Sequence, residues 1–339
     1  MLNLVFVGYR HGHTGTIYAE AMADPNVNVL GAWEPTEEGR KMAAATGMEF
    51  NYATLEDVLA DERVDAISLG GVYGERGGHA IAALKAGKHV YADKPICTRL
   101  EELDEIEKLA KEKNLKVGCY LTMRFSKGMK TIRDMIQSGE LGEIGAINMT
   151  GQHPLMYGSR PMWYFEEGQH GGTINDIAIH GLDLVRFLTG LELKNITGAR
   201  CWNHWSTEVK TMNDCGQFMV EMSNGCGFMA DVSYAAPASC GYALETYWRF
   251  TIWGTKGVVE YKLKGGTKQV GTDSSDDALL QIALDGSDGF KPYEKIGYPV
   301  TGVGEFVKEI NGETDLLIDT ADVLRTTRDI LRIQAAADK

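Results

Sequence analysis

Asp176, His180 and Asp183 stand at i, i+4 and i+7 in a stretch otherwise filled by Ile174, Ile177, Ile179, Leu182, Leu184, Val185 and Leu188. On a helix that spacing gathers the three polar residues on one face. A polar stripe on an apolar helix costs free energy unless it is paired or employed. Imidazole ordinarily titrates near neutrality, so His180 can take a hydroxyl proton. Asp176 can hold that hydroxyl or orient the ring, while Asp183 is as suited to capping or bridging as to touching a ligand. Asp and His at this spacing could also ligate zinc. The candidate third ligands His170, His153 and His11 are scattered along the sequence, so no metal is expected.

Lys94 is the second reactive group. It follows the short apolar run His89–Ala92 and precedes Pro95. If that run is a strand, Lys94 lies at the carboxyl edge of a parallel sheet, where doubly wound folds bind ligands. Desolvation there suits an ammonium group to proton traffic. The rival reading is an exposed loop lysine.

The chain also opens with Leu2–Val7 running into Gly8-Tyr9-Arg10-His11-Gly12-His13-Thr14-Gly15. A glycine-rich turn between strand and helix lets backbone approach a pyrophosphate at the helix N-terminus. Arg10 and His13 stand where a GxGxxG pattern has its second and third glycines, and Gly12 and Gly15 offer a displaced spacing. Glu34 follows roughly 20 residues later, where an acidic side chain accepts both ribose hydroxyls of NAD and repels a 2′-phosphate. Arg40 and Lys41, close by in sequence, blunt that preference for NAD over NADP.

These residues need elements to carry them. Up to about residue 122, apolar runs at Leu2–Val7, Val27–Ala32, Ala66–Leu69, His89–Ala92 and Val117–Tyr120 alternate with helical patterns. Such alternation predicts a parallel, doubly wound sheet. Beyond a helix at Lys127–Ser138 and one at Thr173–Thr189 come β-rich runs at Ile196–Cys201, Gln217–Met222, Gly227–Tyr234, Trp248–Trp253 and Gly257–Lys262. Turns such as Ser223-Asn224-Gly225 and Gly254-Thr255-Lys256-Gly257 suit antiparallel hairpins. The expected organisation is α/β: a Rossmann-like domain over 1–122 and an α+β domain with an open, mostly antiparallel sheet over 123–339. A helical tail, Asp319–Ala337, is free to pack back on the first domain.

The two reactive stretches also carry a resemblance. Ala86-Gly87-Lys88-His89-Val90-Tyr91-Ala92-Asp93-Lys94-Pro95 resembles the AGKHVxxEKP stretch of the Gfo/Idh/MocA oxidoreductases, with Asp93 for the usual Glu. Gly171–Asp183 resembles the family's GGxxxDxGxHxxD signature, with Ala178 for Gly. Met123-Arg124-Phe125 and Leu141–Gly145 match weaker family patterns, so the resemblance runs to about residue 190. It implies hydride transfer between a ring secondary alcohol and NAD, less readily NADP, on pyranoses, inositols or glycosides.

The residues expected to hold the cofactor are Gly8, Arg10, His11, Gly12, His13, Glu34, Gly70, Gly71, Tyr73, His79, Asp93, Lys94 and Pro95. Those expected at the substrate are Lys94, Arg124, Trp163, Asp176 and His180, with Lys94, Asp176 and His180 catalytic. Trp163 could floor a sugar ring by stacking or pack in the core. Two rivals stay open: a glycoside-cleaving enzyme that uses NAD transiently, and a non-catalytic NAD-binding sensor.

Composition narrows the classes. At 339 residues two domains are the default, and 44% hydrophobic with 24% charged content is ordinary for a folded chain. A net charge of −13 argues against nucleic-acid partners. No apolar run reaches membrane-spanning length and no leader-like stretch is evident. Six cysteines without a CxxC or a pairing rhythm read as free thiols, so cytoplasmic placement is expected. The C-terminal strands carry more apolar residues than one helical layer covers, which predicts a homodimer or homotetramer.

Overall fold

Apolar runs without alternation become strands where both faces of a parallel sheet are covered, and the N-terminal part of the chain follows that rule. In the computed structural model, which describes residues 1–206, 208–244, 247–263, 278–297 and 300–339, the chain divides into two units. The first holds Met1–Thr122, Glu166–Gly171 and Val300–Arg328; the second holds Met123–Phe165, Gly172–Pro299 and Asp329–Lys339.

The first unit runs β1 (Leu2–Val7), α1 (His13–Ala23), β2 (Val27–Trp33), α2 (Glu37–Ala43), α3 (Leu55–Ala60), β3 (Ala66–Leu69), α4 (Tyr73–Lys85), β4 (His89–Ala92), α5 (Leu100–Lys113) and β5 (Val117–Cys119). The strands form a parallel sheet in the order β2-β1-β3-β4-β5. Phe50 adds an isolated parallel bridge to Ala32, on the edge of β2 away from β1. Counting that bridge as a vestigial strand, the order becomes 3-2-1-4-5-6, that of dinucleotide-binding folds. The chain reverses direction between β1 and β3, and the crevice at their carboxyl ends is the expected ligand site.

The second unit runs α6 (Lys127–Gln137), β6 (Ile144–Pro154), α7 (Ile179–Thr189), β7 (Leu193–Trp202), β8 (Cys215–Met222), β9 (Gly227–Ala236), β10 (Trp248–Gly254), β11 (Gly257–Leu263), β12 (Leu279–Leu284) and β13 (Lys291–Pro292). The sheet order is β13-β12-β11-β10-β6-β9-β8-β7, antiparallel except for the β6–β9 pair. Both expected hairpins form: β8 turns into β9 through Gly225, whose φ is +88°, and Gly254 pairs with Gly257 across Thr255-Lys256. Strand β6, central in this sheet, is absent from the sequence reading. Its Gly145, Asn148, Gly151 and Gln152 dilute the apolar signal. One sheet face buries Met149, Phe218, Phe228 and Phe250. The opposite face leaves Met219, Met229 and Trp253 about half exposed.

The single helix that the sequence predicts over Thr173–Thr189 is instead two pieces. A π-helical turn spans Ile174–Ala178 and α7 continues from it. Gly171 and Gly172, at φ +78° and +97°, bend the chain into this turn. The Gln334 side-chain oxygen accepts from Ile174 N at 3.0 Å and Asn175 N at 3.1 Å, capping donors that the start of a helix leaves unsatisfied. Asp176 therefore sits in the wider turn, so the i, i+4 count to His180 is not pure α spacing.

Two late helices close the chain, α8 (Gly302–Ile310) and α9 (Thr320–Ala337). Within the first unit α8 lies beside α1, and Glu20 of α1 accepts from Val303 N at 3.3 Å. All six cysteines are free. Among the described residues no helix is long and apolar enough to cross a membrane.

Burial beside α8 pushes the Glu20 carboxyl up to about 7. The folded chain then binds this proton more tightly than the unfolded chain, whose Glu titrates near ~4.3. The contribution is full below that value and is lost as pH rises through about 7. Glu20→Gln should therefore flatten the fall in stability between about pH 5 and 8. Urea midpoints measured across that range check this; parallel curves for the two proteins would refute it.

Candidate active site

In the first unit the loops after β1 and β3 meet through glycine. A Cβ on Gly8, which has φ +81°, would lie 2.6 Å from the Gly71 Cα, and one on Gly70 would lie 2.6 Å from the Gly8 carbonyl oxygen. Arg10 N donates to the Gly70 carbonyl at 2.8 Å, locking the two loops together. Gly15 packs on the Tyr9 hydroxyl, so its absent side chain serves packing. Gly12, at the N-cap of α1, has nothing within 4 Å of a Cβ position.

The first turn of α1 contains no acidic residue and receives no side-chain cap. The Thr14 hydroxyl there, and Nδ1 of His79 on α4, are buried without hydrogen-bond partners among the described residues. An open backbone cradle at the positive end of a helix fits a dinucleotide pyrophosphate.

His11, His13 and Asp93, far apart in sequence, converge. Asp93 is fully buried. It pairs through Oδ2 with His11 Nδ1 at 2.7 Å and Arg76 Nη2 at 3.0 Å, and through Oδ1 with His13 Nδ1 at 2.9 Å. Burial works against its charge, but Arg76 and the two histidines outweigh burial and hold its carboxyl well below the usual range. Burial also drives the His11 imidazole down to about 3. The three side chains are close enough to share a metal ion. The Arg76 cation already bound to Asp93 opposes a second positive charge there.

Arg76 also donates to the carbonyls of Gly71, Asp93, Lys94 and Pro95, at 2.8, 3.0, 2.7 and 3.2 Å. Lys94, 3% exposed, is held by this loop with its ammonium group 5.8 Å from the Tyr73 ring. Tyr73 is buried, and its ring lies 6.0 Å from that of His170.

At the end of β2, Glu34 turns inward. Its Oε2 accepts from Tyr9 N at 2.7 Å, and its Oε1 accepts from Thr36 N at 2.8 Å and from the Thr36 hydroxyl. A ribose would meet a carboxylate already bonded to the chain, although each oxygen keeps acceptor capacity. Arg10 spends its charge on Glu38 at 2.7 Å, and Arg40 donates to the Glu34 backbone carbonyl. Among the described residues no basic side chain pairs with the Glu34 carboxylate.

In the second unit the stripe divides by partner. Asp176 accepts from the Tyr234 hydroxyl of β9. Asp183, by contrast, holds Arg124 in a two-pronged ion pair, 2.7 Å on each side, and both residues are buried. Arg124, expected at the substrate, thus fixes the 3₁₀ segment Thr122–Phe125 against α7. His180 lies 5.5 Å, ring to ring, from Trp248, which is 5.3 Å from His153. His153 is in turn 6.1 Å from Tyr234. A residue that looks scattered in sequence is therefore part of the same aromatic cluster. Trp163 is 3% exposed, with its ring 4.0 Å from Tyr164, and packs as core.

The sequence reading gives no site role to Arg76, Tyr234, Arg160 or Trp248, and weighs His153 only as a candidate metal ligand. Tyr234 had a faint signal: three successive buried residues, Val232, Ser233 and Tyr234, break the alternation of β9. Arg76, between Glu75 and Gly77, reads as an ordinary solvated helix position.

Comparison with known proteins agrees with this architecture. A model described as an oxidoreductase family with an NAD-binding Rossmann fold matches residues 2–121, and one for the Gfo/Idh/MocA C-terminal domain matches residues 129–260. The chain belongs to the Gfo/Idh/MocA family. It is 26% identical over 187 residues to a myo-inositol 2-dehydrogenase of Thermotoga maritima, covering 55% of this chain and 54% of that protein. It therefore spans about half the length of that relative. It is 26% identical to an inositol 2-dehydrogenase of Rhizobium meliloti over 73% of this chain and 72% of that one. The fold matches an aldose-aldose oxidoreductase of Caulobacter crescentus, complexed with glycerol, with TM-score 0.80 at 19% identity, covering 99% and 97% of the two chains.

The Arg124–Asp183 pair gives a direct test. Arg124→Met strands a buried carboxylate, which costs about 3–5 kcal/mol. The double change Arg124→Met with Asp183→Leu should recover most of that loss in denaturant titration. Additive losses would mean that the pair is not a coupled unit.

Proposed function

We propose that this family member oxidises a secondary hydroxyl of a sugar or cyclitol. The observation that carries the reading is the Asp176–Tyr234 bond beside a histidine set among aromatic rings. Polar groups that grip hydroxyls, flanked by apolar faces, suit a carbohydrate ring. Bound nicotinamide would supply the hydride acceptor. His180 takes the hydroxyl proton on an imidazole nitrogen. Asp176, polarised by the Tyr234 O–H, orients the substrate. Lys94 Nζ stabilises the developing alkoxide or passes the proton on. Gly8, Gly12 and His13 would lie along the pyrophosphate, with Gly70, Gly71, Tyr73 and His79 lining the crevice. NAD is favoured over NADP because, among the described residues, the Glu34 charge has no cationic partner to soften repulsion of a 2′-phosphate.

A panel of pyranoses, inositols and glycosides assayed for NADH or NADPH formation, with products identified, tests this reading. Lys94→Ala should lower turnover by about two orders of magnitude or more. Oxidation rate should rise with pH through one ionisation, since only neutral imidazole accepts a proton. His180→Asn should abolish that limb while cofactor binding persists. A limb that survives in this variant would transfer the base role to Lys94.

The half-exposed row of Met219, Met229 and Trp253 also supports self-association through the open sheet face. Sedimentation at micromolar concentration should find a dimer or tetramer; a monomer would count against it.

A further inference from the structure

Three buried arginines of this chain each hold a carboxylate: Arg76 holds Asp93, Arg124 holds Asp183 and Arg186 holds Asp329. That is the ordinary condition for a guanidinium withdrawn from water. Arg160 departs from it. Its Nε donates to the Leu155 carbonyl at 2.9 Å, and its Nη2 donates to the Pro154 carbonyl at 2.8 Å and to the Tyr242 hydroxyl at 3.3 Å. These contacts fix the plane of the group without neutralising it. Among the described residues no carboxylate pairs with Arg160, and no acceptor engages its Nη1. Arg160 is half-buried as a residue.

The setting of this cation is the cluster already described. Its guanidinium carbon lies 4.5 Å from the Tyr164 ring centre and 5.3 Å from that of Tyr234. Burial opposes the charge, yet Tyr164, Tyr242, Tyr234 and Asp176 together outweigh it and hold the proton more tightly than usual. Tyr234 is also the residue whose hydroxyl bonds Asp176. The Tyr234 side chain thus meets the cation at its ring and the Asp176 carboxylate at its hydroxyl. A carboxylate and the hydroxyls of one sugar or cyclitol ring could reach two groups that share one aromatic side chain. Tyr242 adds a second donor, because its oxygen accepts from Nη2 and its own proton goes to no described acceptor. Two adjacent donors, one of them charged, match the two oxygens of a carboxylate.

We propose that the substrate is an acidic ring polyol, of the hexuronate type, whose carboxylate binds Arg160 Nη1 and the Tyr242 hydroxyl while a ring hydroxyl is presented to Asp176 and His180. This rests on the dehydrogenase reading and narrows its substrate class. Arg160 is a specificity residue here, with no share in the hydride or proton steps.

The test compares matched compounds: glucuronate and galacturonate, the parent neutral hexoses and the hexose 6-phosphates. The wild-type protein should favour the uronates over the neutral hexoses by at least about tenfold in kcat/KM, the scale of one charge-assisted hydrogen bond. Arg160→Gln should bring that ratio close to one, mainly through KM, and Arg160→Lys should restore part of it. The uronate advantage should also shrink with added salt.

Neutral hexoses oxidised as well as uronates would overturn the proposal and leave the dehydrogenase reading intact, as would a preference for the phosphates. If nothing in the panel is oxidised, calorimetry of each compound in the presence of NADH separates the two ideas. Uronate binding that Arg160→Gln abolishes would sustain the Arg160 assignment while the reaction reading falls; equal or absent binding across the panel would overturn the assignment.

Discussion

The buried guanidinium of Arg76 ties together the parts that the chemistry of the first unit requires. It reaches four backbone carbonyls and one carboxylate, spanning the loop after β3 and the loop that carries Lys94. A charged group in the interior is tolerated only when such partners replace its water, so the loops are held by the same contacts that satisfy the charge. Asp93 extends the arrangement to the first turn of α1 through His11 and His13. The loop after β1 and the loop carrying Lys94 are thereby parts of one hydrogen-bonded body, and neither can shift without breaking charge-assisted bonds. The substitution of Asp for the family's Glu belongs to this design: the shorter side chain is met by two imidazoles that come up to it.

The second unit solves a similar problem on one short run of residues. Asp176 and Asp183 are both buried, but their partners send them to different tasks. The rigid fork of Arg124 fills both oxygens of Asp183, which suits anchoring. The phenolic hydroxyl of Tyr234 donates to one oxygen of Asp176, so this carboxylate is tied to the sheet rather than to an arginine.

Much of this was legible beforehand, and the limits have physical causes. The parallel strands declare themselves because a sheet covered on both faces needs uninterrupted apolar runs. Lys94, Asp176 and His180 stand out in the sequence because polar side chains in apolar surroundings violate the burial rule visibly, and the structure buries all three. Arg76 could not, since an arginine between Glu75 and Gly77 looks solvated until the fold closes over it. His153, Tyr234 and Trp248 come from three separate strands, and no local spacing encodes pairing across β6, β9 and β10. The vestigial strand at Phe50 makes one bridge, too little for periodicity to register. The π turn was hidden for another reason: one residue more in a turn leaves the apolar pattern almost unchanged.

That turn gives the helix two independently adjustable ends. A widened turn amounts to one residue too many for α geometry, and such bulges recur at functional sites. Restoring regular α winding by removing a residue would swing everything upstream by about 100° relative to everything downstream. The downstream part, with Asp183 and Arg186 engaged by Arg124 and Asp329, would keep its place. Descendants of this chain could thus re-aim the Asp176 carboxylate by changes in length alone, turning it like a dial on a fixed axle.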